Sequence, residues 1–110
     1  MAKVRYGTCG LLAAALLGWA AIAEAKPARC FSSDDGTYAC DFKGLDRQGS
    51  FEIKARGKPT YTLWVDTPGV ASGFVNFGDR NISLPGQYVR ETQDSACWSN
   101  SETGARVCAW

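Results

Sequence analysis

From residue 38 onward the chain alternates. Tyr38, Cys40 and Phe42 fall on one side of a strand, and Ala39 and Asp41 on the other. Residues 50–56 repeat the alternation with more contrast: Phe51, Ile53 and Ala55 against Glu52, Lys54 and Arg56. Residues 60–66 are rich in Thr, Tyr, Trp and Val, side chains that suit a pleated surface. Trp64 shares its side with Thr60 and Thr62, opposite Tyr61, Leu63 and Val65, which puts it on the outside. Residues 70–77 are more apolar and read as a strand buried on both faces. Shorter strands follow over 82–84 and 87–91. Gly57-Lys58-Pro59, Pro68-Gly69, Gly78-Asp79-Arg80 and Pro85-Gly86 mark turns between them. No segment after residue 26 carries a helical period with caps, and one short helix is expected around 93–96. About eight short strands at spacings near ten residues predict an all-β fold, a small antiparallel sandwich or barrel.

The first and last parts of this strand-rich region use one device twice. Cys30-Phe31-Ser32-Ser33 leads through Asp34-Asp35-Gly36 to Cys40, and Cys97-Trp98-Ser99-Asn100 leads through Glu102-Thr103-Gly104 to Cys108. Each closes with Cys-x-aromatic, at Phe42 and Trp110. Three pairings of these four cysteines are open, including two long bridges tying the ends of the domain together. Strand register favours the local pairs, Cys30–Cys40 and Cys97–Cys108. With Cys30 facing Cys40, Ser33 faces Thr37 and Asp34-Asp35-Gly36 forms a three-residue loop. With Cys97 facing Cys108, Trp98 faces Val107 and residues 101–104 form the loop. The expectation is a disulfide-stapled hairpin at each end of the domain.

Residues 1–25 read as a cleaved signal peptide. Lys3 and Arg5 precede an apolar run over 10–23, and Ala23-Glu24-Ala25 has the small-x-small form of a cleavage site. The run is shorter than the roughly 20 residues that a spanning helix needs. The remaining domain, 26–110, is single, and its expected home is periplasmic or extracellular, where disulfides persist. Of 12 Lys and Arg and 11 Asp and Glu, losing Lys3, Arg5 and Glu24 with the leader leaves ten of each sign. Such a balance gives no electrostatic reason to expect nucleic acid as a partner.

The chain has no histidine. That excludes histidine-activated nucleophiles and the common histidine-containing zinc sites. Oxidised cysteines are not thiolate nucleophiles, and neither Cys-x-x-Cys nor a phosphate-cradling loop occurs. No catalytic residue, metal or cofactor is expected. Carboxylate chemistry remains as an alternative, but Asp34-Asp35-Gly36 and Gly78-Asp79-Arg80-Asn81 have the composition of ordinary turns.

Aromatic residues are the positive signal. Phe42 and Phe51 read as core. Trp64, Phe74 and Phe77, with Arg80 and Arg90, form the candidate binding surface, because exposed aromatics beside Gly- and Asn-rich loops suit contact with a ligand or protein. The expectation is a small exported, non-catalytic binding protein with a protein or glycan partner. The overall format resembles the small periplasmic hydrolase inhibitors, including the c-type lysozyme inhibitors, through Tyr38-x-Cys40 followed by Phe51 and Ile53. Ser83-Leu84-Pro85-Gly86-Gln87-Tyr88 is similar in composition to their inhibitory loops but differs in spacing. The resemblance implies a small β-barrel and, as an alternative function, lysozyme-type inhibition; it transfers no functional residue. A carboxylate-dependent hydrolase is the other alternative.

Overall fold

The computed structural model describes residues 24–110, so the expected leader lies outside the described residues apart from Glu24 and Ala25. Nine strands follow in chain order: β1 (Lys26–Ser32), β2 (Gly36–Gly44), β3 (Phe51–Lys54), β4 (Thr60–Thr67), β5 (Val70–Asn76), β6 (Asn81–Ser83), β7 (Tyr88–Arg90), β8 (Cys97–Asn100) and β9 (Arg106–Ala109). All pairings are antiparallel. Eight strands close into a barrel in the order β4-β3-β2-β1-β9-β8-β7-β5, with β5 returning to β4 and β6 added on β5. Closure leaves these eight strands without an open edge. It rests on β9 pairing with β1, which sets Val107, Cys108 and Ala109 against Ser32, Phe31 and Cys30.

An eight-stranded barrel has an interior just wide enough for side chains to fill. Here period-two alternation supplies them. Phe51 and Ile53 from β3, Tyr61 and Leu63 from β4, Ala71 and Val75 from β5, Trp98 from β8 and Val107 from β9 are all buried. One end of the lumen is plugged by stacked aromatics. The Phe42 and Phe51 rings lie 5.3 Å apart, and Phe51 and Trp98 6.4 Å apart. Polar atoms needed inside the wall are tied: Ser50 Oγ accepts from Val65 N at 2.8 Å where β4 bulges.

β5 departs from its expected burial on both faces. Its residues alternate between buried and half-buried, with Ala71, Gly73 and Val75 inward and Ser72, Phe74 and Asn76 outward. Its apolar character reflects a half-covered outer face at Phe74, not a second core. Gly73 is required by close approach. A Cβ there would fall on the Tyr88 ring and reach Leu84. β6 and β7 share one edge of β5, and the pairing passes from Phe74–Ser83 to Ala71–Tyr88. That passage leaves extra residues around Pro85-Gly86 bulged out of the sheet. The short helix expected around 93–96 does not form; these residues make turns.

Both local disulfides are present, with Cα separations of 5.9 Å for Cys30–Cys40 and 4.0 Å for Cys97–Cys108. The last hairpin has the expected register, Cys97 opposite Cys108 and Trp98 opposite Val107. The first does not. Cys30 opposes Tyr38, Ala28 opposes Cys40 and Ser32 opposes Gly36, so the bridge runs diagonally between neighbouring rows. The loop is Ser33-Asp34-Asp35. Ser32 Oγ accepts from Asp35 N and donates to Asp35 Oδ2, closing the turn one residue earlier than spacing predicts. Gly36 then takes φ 75°, a conformation that costs glycine little.

Candidate functional site

Two surfaces hold the chemistry of this barrel. The first is the outer face of the β4–β5 hairpin. Alternation sends Thr60, Thr62, Trp64 and Asp66 outward from β4, and Ser72, Phe74 and Asn76 outward from β5. Thr62 opposes Phe74 and Trp64 opposes Ser72. Trp64 is 43% exposed, as expected from its side of the strand. Phe74 is half-buried beside it, and Phe77, at the turn after β5, is 71% exposed. At about 3.3 Å of rise per residue, Trp64 and Phe77 stand roughly 16 Å apart along the strands, with Phe74 between them.

The Phe77 end is pinned. Asn76 Oδ1 accepts from Gly78 N at 2.7 Å, and Asn76 Nδ2 donates to Asn81 Oδ1 at 3.0 Å. Arg80 lies in this turn, exposed and 3.8 Å from the still more exposed Asp79. Beside it is a polar depression of about 290 Å³ lined by Glu52, Lys54, Thr60, Thr62, Asn76, Gly78 and Asn81. Of the expected surface, Trp64 and Phe74 share the outer face of the hairpin, and Phe77 and Arg80 lie in the exposed turn at its end. Arg90 does not join them. It lies on β7 with its guanidinium 4.8 Å over the Trp98 ring, at the aromatic-plugged end of the lumen. Its parity on a short strand puts it over the core, where it covers Trp98.

The second surface is the other mouth of the barrel, and no sequence pattern singled it out. Tyr38, Tyr61 and Tyr88 point inward near the starts of β2, β4 and β7. In a meander, alternate strands start at the same end, so the three phenols converge. The turn over 33–35 lies across this mouth. Tyr61 donates its hydroxyl to Asp35 Oδ2 at 3.1 Å, and Ser32 donates to the same oxygen. Burial pushes the Tyr61 phenol up to about 12, and Asp35 adds to the effect. Burial also raises Tyr38, with Asp35 contributing, and raises Tyr88, where a bond with Asn100 opposes it and Asp34 reinforces it. The Tyr38 hydroxyl is buried without a protein partner. Asn100 organises the opposite lip: its Oδ1 accepts from Glu102 N and Thr103 N, and its Nδ2 donates to Pro85 O.

The carboxylates are dispersed. Asp46 caps its own turn by accepting from Gln48 N and Ser50 N. Glu91 accepts two bonds from the Arg106 guanidinium, at 2.7 and 2.9 Å, and a third from Ser99. The Arg106 and Ser99 bonds hold the Glu91 carboxyl at about 2. Asp94 is lowered by accepting from Trp110 Nε1. Among the described residues, no group of three His, Cys, Asp or Glu side chains is placed to hold a metal ion.

Compared with family models, with curated proteins and with solved structures, the chain matches none of them.

Proposed function

We propose that this is an exported, non-catalytic binding protein that presents the outer face of its β4–β5 hairpin to a protein or glycan partner in the periplasm or outside the cell. The observation that carries this reading is the strip Trp64–Phe74–Phe77. Trp64 and Phe74 stand on the strand-supported outer face, Phe77 is exposed in the turn just beyond it, and that turn is tied by the Asn76 and Asn81 side chains. Aromatic and arginine side chains dominate the energetics of protein contacts, and rigid ones lose little entropy on binding. Two disulfides fit an oxidising, exported setting.

Hydrolysis by a carboxylate pair fits less well. Such a reaction needs two carboxyl groups facing one bond. The surface depressions lined by Asp34, Glu52, Asp41 and Asp66 have one carboxylate each. Lysozyme-type inhibition is the second reading. What favours it is the barrel format together with the bulge at Pro85-Gly86, whose chain leaves the sheet between β6 and β7. The test of the main reading is capture from an envelope extract by the oxidised protein and by a Trp64→Ala, Phe77→Ala double variant. Retention of a discrete partner by the first and not by the second supports it. Equal retention by both, or none, overturns it. A lysis assay with c-type lysozyme decides the second reading.

A further inference from the structure

Two rows of side chains cross the outside of the sheet along the aromatic strip. One runs from Lys43 through Glu52, Thr62 and Phe74 to Ser83. The next sets Asp41 opposite Lys54 on β2 and β3, and Thr60, Asn76 and Asn81 side by side on β4, β5 and β6. The polar depression of about 290 Å³ lies over these rows. We propose that it binds an uncharged oligosaccharide. This rests on the reading of the β4–β5 face as the binding surface, and it names the class of ligand.

Charge argues for a neutral ligand. In each row an acid opposes a base, Glu52 with Lys43 and Asp41 with Lys54. Residues 41–83 carry five acids against six bases in all. Asp66 is tied to Ser72 at 2.7 Å, and Asp79 stands 3.8 Å from Arg80. The outward side chains of residues 60–64, 72–76 and 81–83 are Thr, Ser, Asn, Trp and Phe, with no charge among them. Hydrogen bonding argues for a ligand rich in hydroxyls. The side-chain bonds within this face are Asp66–Ser72, Asn76–Asn81 and Asn76–Gly78. The hydroxyls of Thr60, Thr62 and Ser83, and Nδ2 of Asn81, take part in none of these. Thr62 is only 7% exposed, between Glu52 and Phe74. An apolar protein surface laid over such groups strips their hydration, whereas sugar hydroxyls replace it. The rings supply the other half. Phe74 opposes Thr62 and Trp64 opposes Ser72, so two successive rows each set an aromatic ring beside a hydroxyl. Sugars carry apolar C–H faces that pack on aromatic rings. From Thr60 to Trp64 the face runs about 13 Å, a length that a short oligosaccharide spans. The depression lies at the foot of the roughly 300–1,000 Å³ range of small-molecule sites, which suits a ring of such a chain.

The test is a two-dimensional NMR titration of the oxidised protein with cellopentaose, chitopentaose and maltopentaose, and with pentagalacturonate as an anionic counterpart. The expected result is saturable shifts at the amides of Thr62, Phe74 and Asn81 with at least one neutral sugar. Thr60→Val removes a hydroxyl at nearly constant shape. Asn81→Asp keeps the acceptor for Asn76 and removes the free donor. Each should weaken that sugar by about threefold to tenfold. Asp34→Asn, at the tyrosine-lined mouth, should change nothing. The variants' own amide spectra verify that they are folded. Sugar binding indifferent to both Thr60→Val and Asn81→Asp, or tighter binding of pentagalacturonate, overturns the proposal. So does the absence of saturable shifts, and the capture experiment then separates the two levels. Capture that still depends on Trp64 and Phe77 leaves a protein partner on this face. Capture that does not depend on them removes the face as well.

Discussion

The ribbon β1–β2 and the ribbon β8–β9 are written in nearly the same letters, and the barrel wall uses them in opposite senses. In β1–β2 the cysteines point inward. Cys30 is fully buried, and the bridge belongs to the main core with Ile53, Leu63 and Trp98. In β8–β9 the residues facing the core are Trp98 and Val107, so alternation turns Cys97 and Cys108 to the outer side of the wall. They are buried all the same. On that side Cys108 opposes Phe31 of β1 and is flanked along β9 by Arg106 and Trp110. These last two are held by Glu91 and Asp94, and Arg29 lies 4.7 Å over the Trp110 ring. One sulfur bridge is part of the apolar interior. The other lies under a polar and aromatic cover. The lesson concerns parity. Cys40 is in phase with Tyr38 and Phe42, so all three share the core. Cys97 is adjacent to Trp98, and the indole, being larger, takes the inside.

This contrast can be broken by removing each bridge. The sequence separations are 10 and 11, so loop closure contributes nearly equally, about 2.5–3 kcal/mol per bridge. Replacing Cys30 and Cys40 together by Ala also thins the core. That variant should lose about 4–5 kcal/mol in urea unfolding, against about 3 kcal/mol for Cys97 and Cys108 together. Equal losses would mean that the two bridges share one environment. Next in size is Gly73→Ala. The added methyl displaces Tyr88 from β5, and overpacking of this kind costs about 1–3 kcal/mol. Thermal unfolding measures the loss, and the Tyr88 ring resonances should shift with it. Smallest is Trp64→Ala, expected to change stability by less than about 0.5 kcal/mol because the indole lies on the open outer face. A larger loss would show that Trp64 supports the barrel and is not free for a partner.

Much of this was readable in the residues, and the failures have physical causes. Turn glycines, strand alternation and the register of four cysteines led to a small antiparallel sandwich or barrel with two local bridges; the structure is a barrel. The register of the first ribbon was not readable. Placing Cys30 opposite Cys40 or opposite Tyr38 differs by an even shift, which leaves every side chain on the same face. Hydrophobic pattern cannot separate the two, and the Ser32–Asp35 hydrogen bonds decide. Val70 to Phe77 read as doubly buried because Phe74 is apolar, yet Phe74 covers the outside of the sheet. Trp64 and Phe74 share the outer face of one hairpin, with Phe77 and Arg80 in the turn that ends it. Arg90 was misplaced because a three-residue strand gives too little pattern to fix its parity. The tyrosine mouth needs the closed meander before three phenols distant in sequence are seen to share one end.

The β8–β9 ribbon is held by the Glu91–Arg106 ion pair, and the tyrosine-lined mouth by buried phenols. The most direct measurement is urea unfolding of wild type, Glu91→Gln and Tyr61→Phe across pH 2–12. The Glu91 carboxyl, lowered from 4.5 to about 2 in the fold, supplies stability that is complete above pH 4.5 and lost as pH falls through about 2. The Tyr61 phenol, raised from 10.0 to about 12, supplies stability that is complete below pH 10 and lost as pH rises through about 12. Glu91→Gln should make the acid limb shallower, leaving the part due to Asp46 and Asp94, with the alkaline limb unchanged. Tyr61→Phe should make the alkaline limb shallower, leaving the part due to Tyr38 and Tyr88, with the acid limb unchanged. An acid limb as steep in Glu91→Gln as in wild type, or an alkaline limb as steep in Tyr61→Phe, would contradict this.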